Sequence, residues 1–171
     1  MSSESRFLID ADVFIQAYRQ YYPFDVVPGF WKALIRYHTN GRLASIDQVK
    51  RELELGKDDL ARWATREMPP GAWLRTDQPA VVHQYGKIMT WVQDQQQFMP
   101  AAKADFARGA DGWLVAYAKV ADWRVVTQEV AAPDAKKKVP IPNVCQEFGV
   151  TFGNVFGMLK QVGARFDLSS N

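Results

Sequence analysis

The sequence predicts an α/β fold with a parallel sheet, and two observations carry that expectation. Short apolar runs such as Phe7-Leu8-Ile9 and Arg124-Val125-Val126-Thr127 alternate with stretches whose apolar residues recur at helical spacing. The first run also ends in Asp10-Ala11-Asp12. Aspartate is a poor strand former and costly to bury, so two of them there require a reason. In an open α/β sheet the carboxyl ends of strands border the ligand crevice, where a carboxylate faces a pocket instead of bulk core. Two acids two residues apart are compatible with a cation site, a nucleophile with its acid partner, or one ligand beside one helix cap.

Each element follows in order. After strand 7–10, Phe14, Ala17, Tyr18 and Tyr21 fall on one helical face, with Asp12 expected to cap its start. Tyr22-Pro23 and Pro28-Gly29 break that helix. A second, from about Phe30 to His38, stops at Thr39-Asn40-Gly41. Residues 42–46 read as a strand, and Asp47 as a cap for a helix with Val49 and Leu53 inside and Glu52 beside that face. The middle reads as an added helical layer: a short helix through Leu60, Trp63 and Ala64 ends at Met68-Pro69-Pro70-Gly71. A longer one after Pro79 carries Val81, Val82, Tyr85, Ile88, Met89 and Val92. Asp111 heads the stripe Leu114, Val115, Ala118, and a strand at 124–127 is followed by Gln128-Glu129. Val139-Pro140-Ile141-Pro142 reads as an edge strand, because proline cannot serve a central ladder. Asn143 is then expected to cap a short helix, with Val155, Leu159 and Val162 on a final one.

Composition bounds the chemistry. The 171 residues are 47% hydrophobic and 23% charged, which reads as one soluble globular domain, 1–171, with a real core. No apolar run approaches a membrane span, and the polar start Met1 to Arg6 does not read as a signal peptide. The single cysteine, Cys145, excludes an internal disulfide and suits a reducing cytoplasm. With only His38 and His83 besides, a zinc site is not expected; a divalent metal would be held by oxygen, which points to magnesium or manganese. The net charge of +2 does not announce a nucleic-acid binder. The run Lys136-Lys137-Lys138 reads either as a solvated loop or as a phosphate track.

Four acids stand where a simple core would hold none: Asp10, Glu52, Asp111 and Glu129. In a parallel sheet, strand ends and the first turns of following helices share one edge, so these acids can converge. Three or four carboxylates close together cannot all stay ionised unless a cation neutralises them. Each also has an ordinary role open to it: Glu52 as a solvated helix residue, Glu129 in a loop, Asp111 as a helix-start acid, Asp12 as a cap.

The order of these segments resembles PIN-domain ribonucleases. Leu8-Ile9-Asp10-Ala11-Asp12-Val13-Phe14 is similar to their opening motif, and Val49-Lys50-Arg51-Glu52-Leu53 to their second. The segment from Ala110-Asp111 to Ala118 resembles the third, and Val125-Val126-Thr127-Gln128-Glu129 the fourth. Ile141-Pro142-Asn143-Val144-Cys145 is similar to a PIN-like subfamily of largely uncharacterised bacterial proteins. The resemblance implies a three-layer α/β/α sandwich with a mainly parallel central sheet. It also implies a magnesium- or manganese-dependent ribonuclease, often the toxin of a VapC-type toxin–antitoxin pair. Asp10, Glu52 and Asp111 match the metal-binding acids, Glu129 the fourth catalytic acid, and Thr127 a supporting hydroxyl. Asp12 stands where asparagine is common, and Glu129 where aspartate is usual.

The implied partners are an RNA substrate and an antitoxin, with a homodimer left open. The tyrosines Tyr18, Tyr21 and Tyr22 with Trp31 are the candidate docking face. Two other readings compete. In a phosphatase of the haloacid-dehalogenase type, Asp10 and Asp12 would be nucleophile and general acid. However, Phe14 sits where that family has Thr or Val, and the acid pair Asp58-Asp59 comes too early. The last is a PIN-fold binding module without turnover.

Overall fold

The structure is a computed structural model and describes residues 4–168; residues 1–3, part of the polar start just discussed, lie outside the described residues. Five strands form one sheet, all neighbours parallel: β1 (Phe7–Ile9), β2 (Leu43–Ile46), β3 (Trp73–Leu74), β4 (Arg124–Val126) and β5 (Phe152–Gly153), in the order β3-β2-β1-β4-β5. The central strand pairs Leu8 with Ala44 on one side and with Val125 on the other. All three β1 residues are buried, as an apolar run covered by helices on both faces requires.

Strand order reverses between β1 and β4: the chain builds outward through β2 and β3, then returns to the far side of β1. The carboxyl ends of β1 and β4 therefore splay around a crevice.

The helices are α1 (Ala11–Gln16), α2 (Pro28–Thr39), α3 (Asp47–Leu55), α4 (Asp59–Arg66), α5 (Pro79–Asp94), α6 (Pro100–Arg108), α7 (Asp111–Ala121), α8 (Ile141–Phe148) and α9 (Val155–Gln161). Prolines open α2, α5 and α6, where a fixed φ helps and a missing N–H is harmless. Asp58 and Asn154 cap α4 and α9, accepting from Ala61 N at 2.9 Å and Gly157 N at 2.8 Å. One group packs α3 against α4 and α1; another packs α5 along α7, and α7 against α6, α8 and β4. The ring of Phe14 lies 5.9 Å from both Trp63 and Trp73, joining α1 to the helical middle.

Several expectations are corrected. Residues 141–142 do not belong to an edge strand; they open α8. Pro142 occupies its first turn, where proline is as acceptable as it is on a sheet edge. Asn143 is inside that helix and holds the preceding loop, bonding Ala132 N and O at 2.9 and 2.8 Å. Asp12 is not the cap of α1, since Asp10 holds that position and Asp12 falls in the first turn. Asp47 is likewise the first residue of α3, not its cap. The first helix passes into a π-helical turn, Ala17–Tyr21. The proposed docking face is mostly interior: Trp31 is buried and donates to Tyr22 O at 2.7 Å, and Tyr22 stacks on Phe30 at 4.3 Å. Of that set only Tyr21 is exposed, edge-on to exposed Phe156.

Candidate functional site

Asp10 follows directly on β1, at the reversal point. Its amide still bonds Val126 O at 3.0 Å, and the preceding Ile9 carbonyl accepts from the buried Ser45 hydroxyl of β2 at 2.6 Å. Both neighbouring strands thus hold the backbone that presents its carboxylate. Asp10 is 2% exposed. Its Oδ2 accepts from Thr127 Oγ1 at 3.0 Å, across the crevice from the end of β4. Thr127 also accepts from Glu129 N at 3.1 Å, so one hydroxyl orders both acids of this strand pair.

Glu52 reaches over from α3 and accepts from Ala110 N at 2.8 Å. That bond pins the start of α7, and Asp111 is the next residue. Glu129 accepts from Ile141 N, the first amide of α8, at 2.7 Å, and pairs with Lys138. Four acids from four elements therefore meet at one sheet edge, with Asp12 beside them.

Their charges act on one another. Burial holds the Asp10 carboxyl well above the usual carboxylate range, and Asp111, Asp12 and Glu129 push it further; the Thr127 hydroxyl opposes them. Burial, with Glu129 and Glu52 close by, raises Asp111 to about 7, against the pull of Lys138. Glu52 is raised by burial and by Asp12, opposed by the Ala110 amide. For Lys138 burial favours the neutral amine, but Glu129, Asp12 and Asp111 outweigh it and raise its pKa. Cys145 is buried, and burial near Asp10 and Glu129 lifts its thiol to about 12, so it is no nucleophile.

The donor set consists of carboxylate oxygens alone, which suits a hard divalent cation. Its spacing does not match: among the described residues no group of three or more His, Cys, Asp or Glu side chains is disposed to hold a metal ion as it stands. Asp10 is turned to Thr127, Glu52 to Ala110, and Glu129 to Ile141 and Lys138.

Two features escaped the sequence. Lys138 belongs to a basic run, but nothing in the linear pattern pairs it with an acid nine residues earlier. It shares with Lys137, Asp111, Phe106 and Val139 a cleft of about 250 Å³. Ser45, inside an apolar strand, gave no signal of its role beneath Asp10. The Asp58-Asp59 pair is spent on α4, where Asp58 caps the helix and Asp59 pairs with Arg62.

A family described as "Domain of unknown function (DUF4411)" matches residues 7–166. No curated protein matches the chain. Among solved structures, FitAcB from Neisseria gonorrhoeae superposes with a TM-score of 0.53 at 19% identity, covering 86% of this chain and 96% of that one. At that identity the likeness is one of fold. The three-layer architecture around a parallel sheet is PIN-like, as the resemblance implied. Among the described residues no helix is long and apolar enough to cross a membrane.

Proposed function

The chain belongs to the DUF4411 family, a domain family of unknown function, and we propose that it is a divalent-metal-dependent endoribonuclease acting as the toxin of a type II toxin–antitoxin pair. The observation that carries this reading is the meeting of Asp10, Glu52, Asp111 and Glu129 at the strand-order reversal, with Asp10 almost wholly buried. Asp10, Asp111 and Glu52 are all held above their usual carboxylate values by burial and by neighbouring carboxylates, an arrangement that favours a functional role for the cluster. The PIN-like fold and the four motifs in PIN order support the choice of nuclease.

In this reading Asp10, Glu52 and Asp111 would hold magnesium or manganese, with Asp12 beside them. A divalent ion held there would supply charge stabilisation and an activated water at a phosphodiester. Thr127 fixes the rotamer of Asp10, and Glu52 fixes the start of α7 and hence Asp111. Glu129 borders the site and takes up positive charge at its rim. Lys137, lining the cleft beside Asp111, stands where it can meet a substrate phosphate. A protein partner that masks the acids is expected of a toxin, because an unrestrained ribonuclease harms its host.

The test is cleavage of a single-stranded RNA in Mn²⁺ or Mg²⁺, with and without chelator, alongside growth on expression. Internal cleavage that stops in EDTA, and growth arrest by wild type but not by Asp10→Asn, supports the reading. Activity undiminished in excess EDTA overturns the metal mechanism. Hydrolysis confined to small phosphomonoesters favours a phosphatase, and no turnover at all favours a binding module.

A further inference from the structure

We propose that the outer face of α5, together with the end of α8, is a self-complementary surface on which a second copy of this chain docks. Neither a metal ion nor any acid of the sheet edge takes part. Three features of that face point to it.

The first is an open trough. α5 buries Val81, Ile88 and Val92 in the core, and by helical periodicity Val82, Gly86 and Thr90 fall on the other side. That side borders a trough of about 660 Å³ with Val82, Trp91 and Phe148 among its walls. Val82 is 45% exposed, and Trp91 and Phe148 meet edge to face with ring centroids 6.0 Å apart. The trough continues past Trp91 and Glu147 into a hollow of about 270 Å³ beside Gln95 and Pro133. Apolar walls left open to water gain free energy when an occupant covers them.

The second is Gly86, midway along the helix in the trough. Glycine inside a helix is destabilising relative to alanine. Nothing among the described residues demands it here, since a Cβ at this position would meet no atom within 4 Å beyond its own helix. The gap above Gly86 lets another backbone or a large side chain come close.

The third is charge. His83 and Lys87 lie toward the start of the trough, and Asp94 and Glu147 at its other end. None of the four forms an ion pair among the described residues. Lys87 and Asp94 are about 10 Å apart along the helix axis, at about 1.5 Å per residue. A face that is basic at one end and acidic at the other complements itself when turned half round, because a two-fold axis sets each end against its opposite. With that axis passing between Gly86 and Trp91, the acids of each copy come against His83 and Lys87 of the other. Each Trp91 then comes against the Gly86 gap of the other copy. This match of the face with itself selects a second copy as the occupant.

The experiment is sedimentation equilibrium of the purified full chain in EDTA across the micromolar range. It compares wild type, Gly86→Gln, Lys87→Glu and the double variant Asp94→Lys/Glu147→Lys. Wild type should dimerise, and each variant should weaken dimerisation at least about tenfold. An equimolar mixture of the Lys87→Glu and Asp94→Lys/Glu147→Lys proteins should dimerise about as tightly as wild type, because every facing pair is again opposite in sign. Gly86→Gln has room for its side chain and should melt no lower than wild type; thermal melting checks the charge variants in the same way. Wild type that stays monomeric overturns the proposal and leaves the face to a different kind of partner. A dimer that Gly86→Gln leaves as tight as wild type uses another surface and overturns it too. So does an equimolar mixture that stays monomeric although both of its components are folded. Each of these outcomes leaves the proposed nuclease activity untouched.

Discussion

The acid edge has a floor and a rim, and the two solve the same electrostatic problem in opposite ways. On the floor, Asp10 is buried and Asp111 half-buried among other carboxylates, and among the described residues no lysine or arginine forms a hydrogen bond or ion pair with either. Their answer is to bind protons more tightly than a carboxylate ordinarily does. At the rim, the Glu129 side chain is only 12% exposed but has its own lysine and a helix-start amide as partners. The contrast teaches that the fold satisfies carboxylates where it has no further use for them. The floor is left short of partnered positive charge, as the proposed metal site would require.

The largest expected effect comes from removing a floor charge. Asp10→Asn keeps an acceptor for Thr127 and removes the charge. RNA cleavage should fall below detection, and Mn²⁺ binding should weaken sharply. The metal-free protein should melt at a higher temperature, because repulsion and burial of a charge are both relieved. Lower melting with unchanged Mn²⁺ affinity would remove Asp10 from the site.

A pH series sharpens the same contrast. The folded pKa of Asp111, about 7, lies above its ordinary value of 3.8, so between these values the folded state holds a proton that the unfolded chain has lost. Stability of the metal-free protein should therefore decline as pH rises from about 4 to about 7, by a few kcal/mol. Asp111→Asn should reduce that slope, Asp10→Asn together with Asp111→Asn should reduce it further, and saturating Mn²⁺ should reduce it in wild type. Denaturant melts across pH measure both; a slope undiminished in the double variant would break the account of the floor.

Thr127→Val tests the bridge between floor and rim. It strands Asp10 Oδ2 and takes the hydroxyl acceptor from Glu129 N. The expected loss is about 1–3 kcal/mol in chemical denaturation. Cleavage should be reduced less than in Asp10→Asn, since every acid remains. The smallest effect belongs to Cys145→Ser, which should leave the cleavage rate unchanged, because a thiol with a pKa of about 12 takes no part in catalysis.

The floor was far more legible in the sequence than the rim. Asp10 announced itself because an acid at the end of a buried strand violates a local rule. Glu52 and Asp111 followed from their place in helix patterns that the long α3 and α7 stripes made plain. The rim depended on a loop. Glu129 and Lys138 meet only because the segment between them is folded back by Asn143 and Gln97, contacts that leave no periodic trace. The same limit explains the misread edge strand. Val139-Pro140-Ile141-Pro142 has strand composition, and what makes it a helix start is the carboxylate of Glu129 on Ile141 N, a contact across twelve positions. The two-residue strands β3 and β5 were too short for alternation to register. The tyrosines and Trp31 misled for a converse reason: aromatic residues at helical spacing serve a core and a partner surface equally well until their neighbours are known.

The measurement that bears most directly on the central claim is anomalous diffraction from a crystal of the wild-type protein soaked in Mn²⁺. The account predicts a manganese peak among the carboxylates of Asp10, Glu52 and Asp111, with oxygen ligands only. No peak at this edge at saturating Mn²⁺ would contradict it.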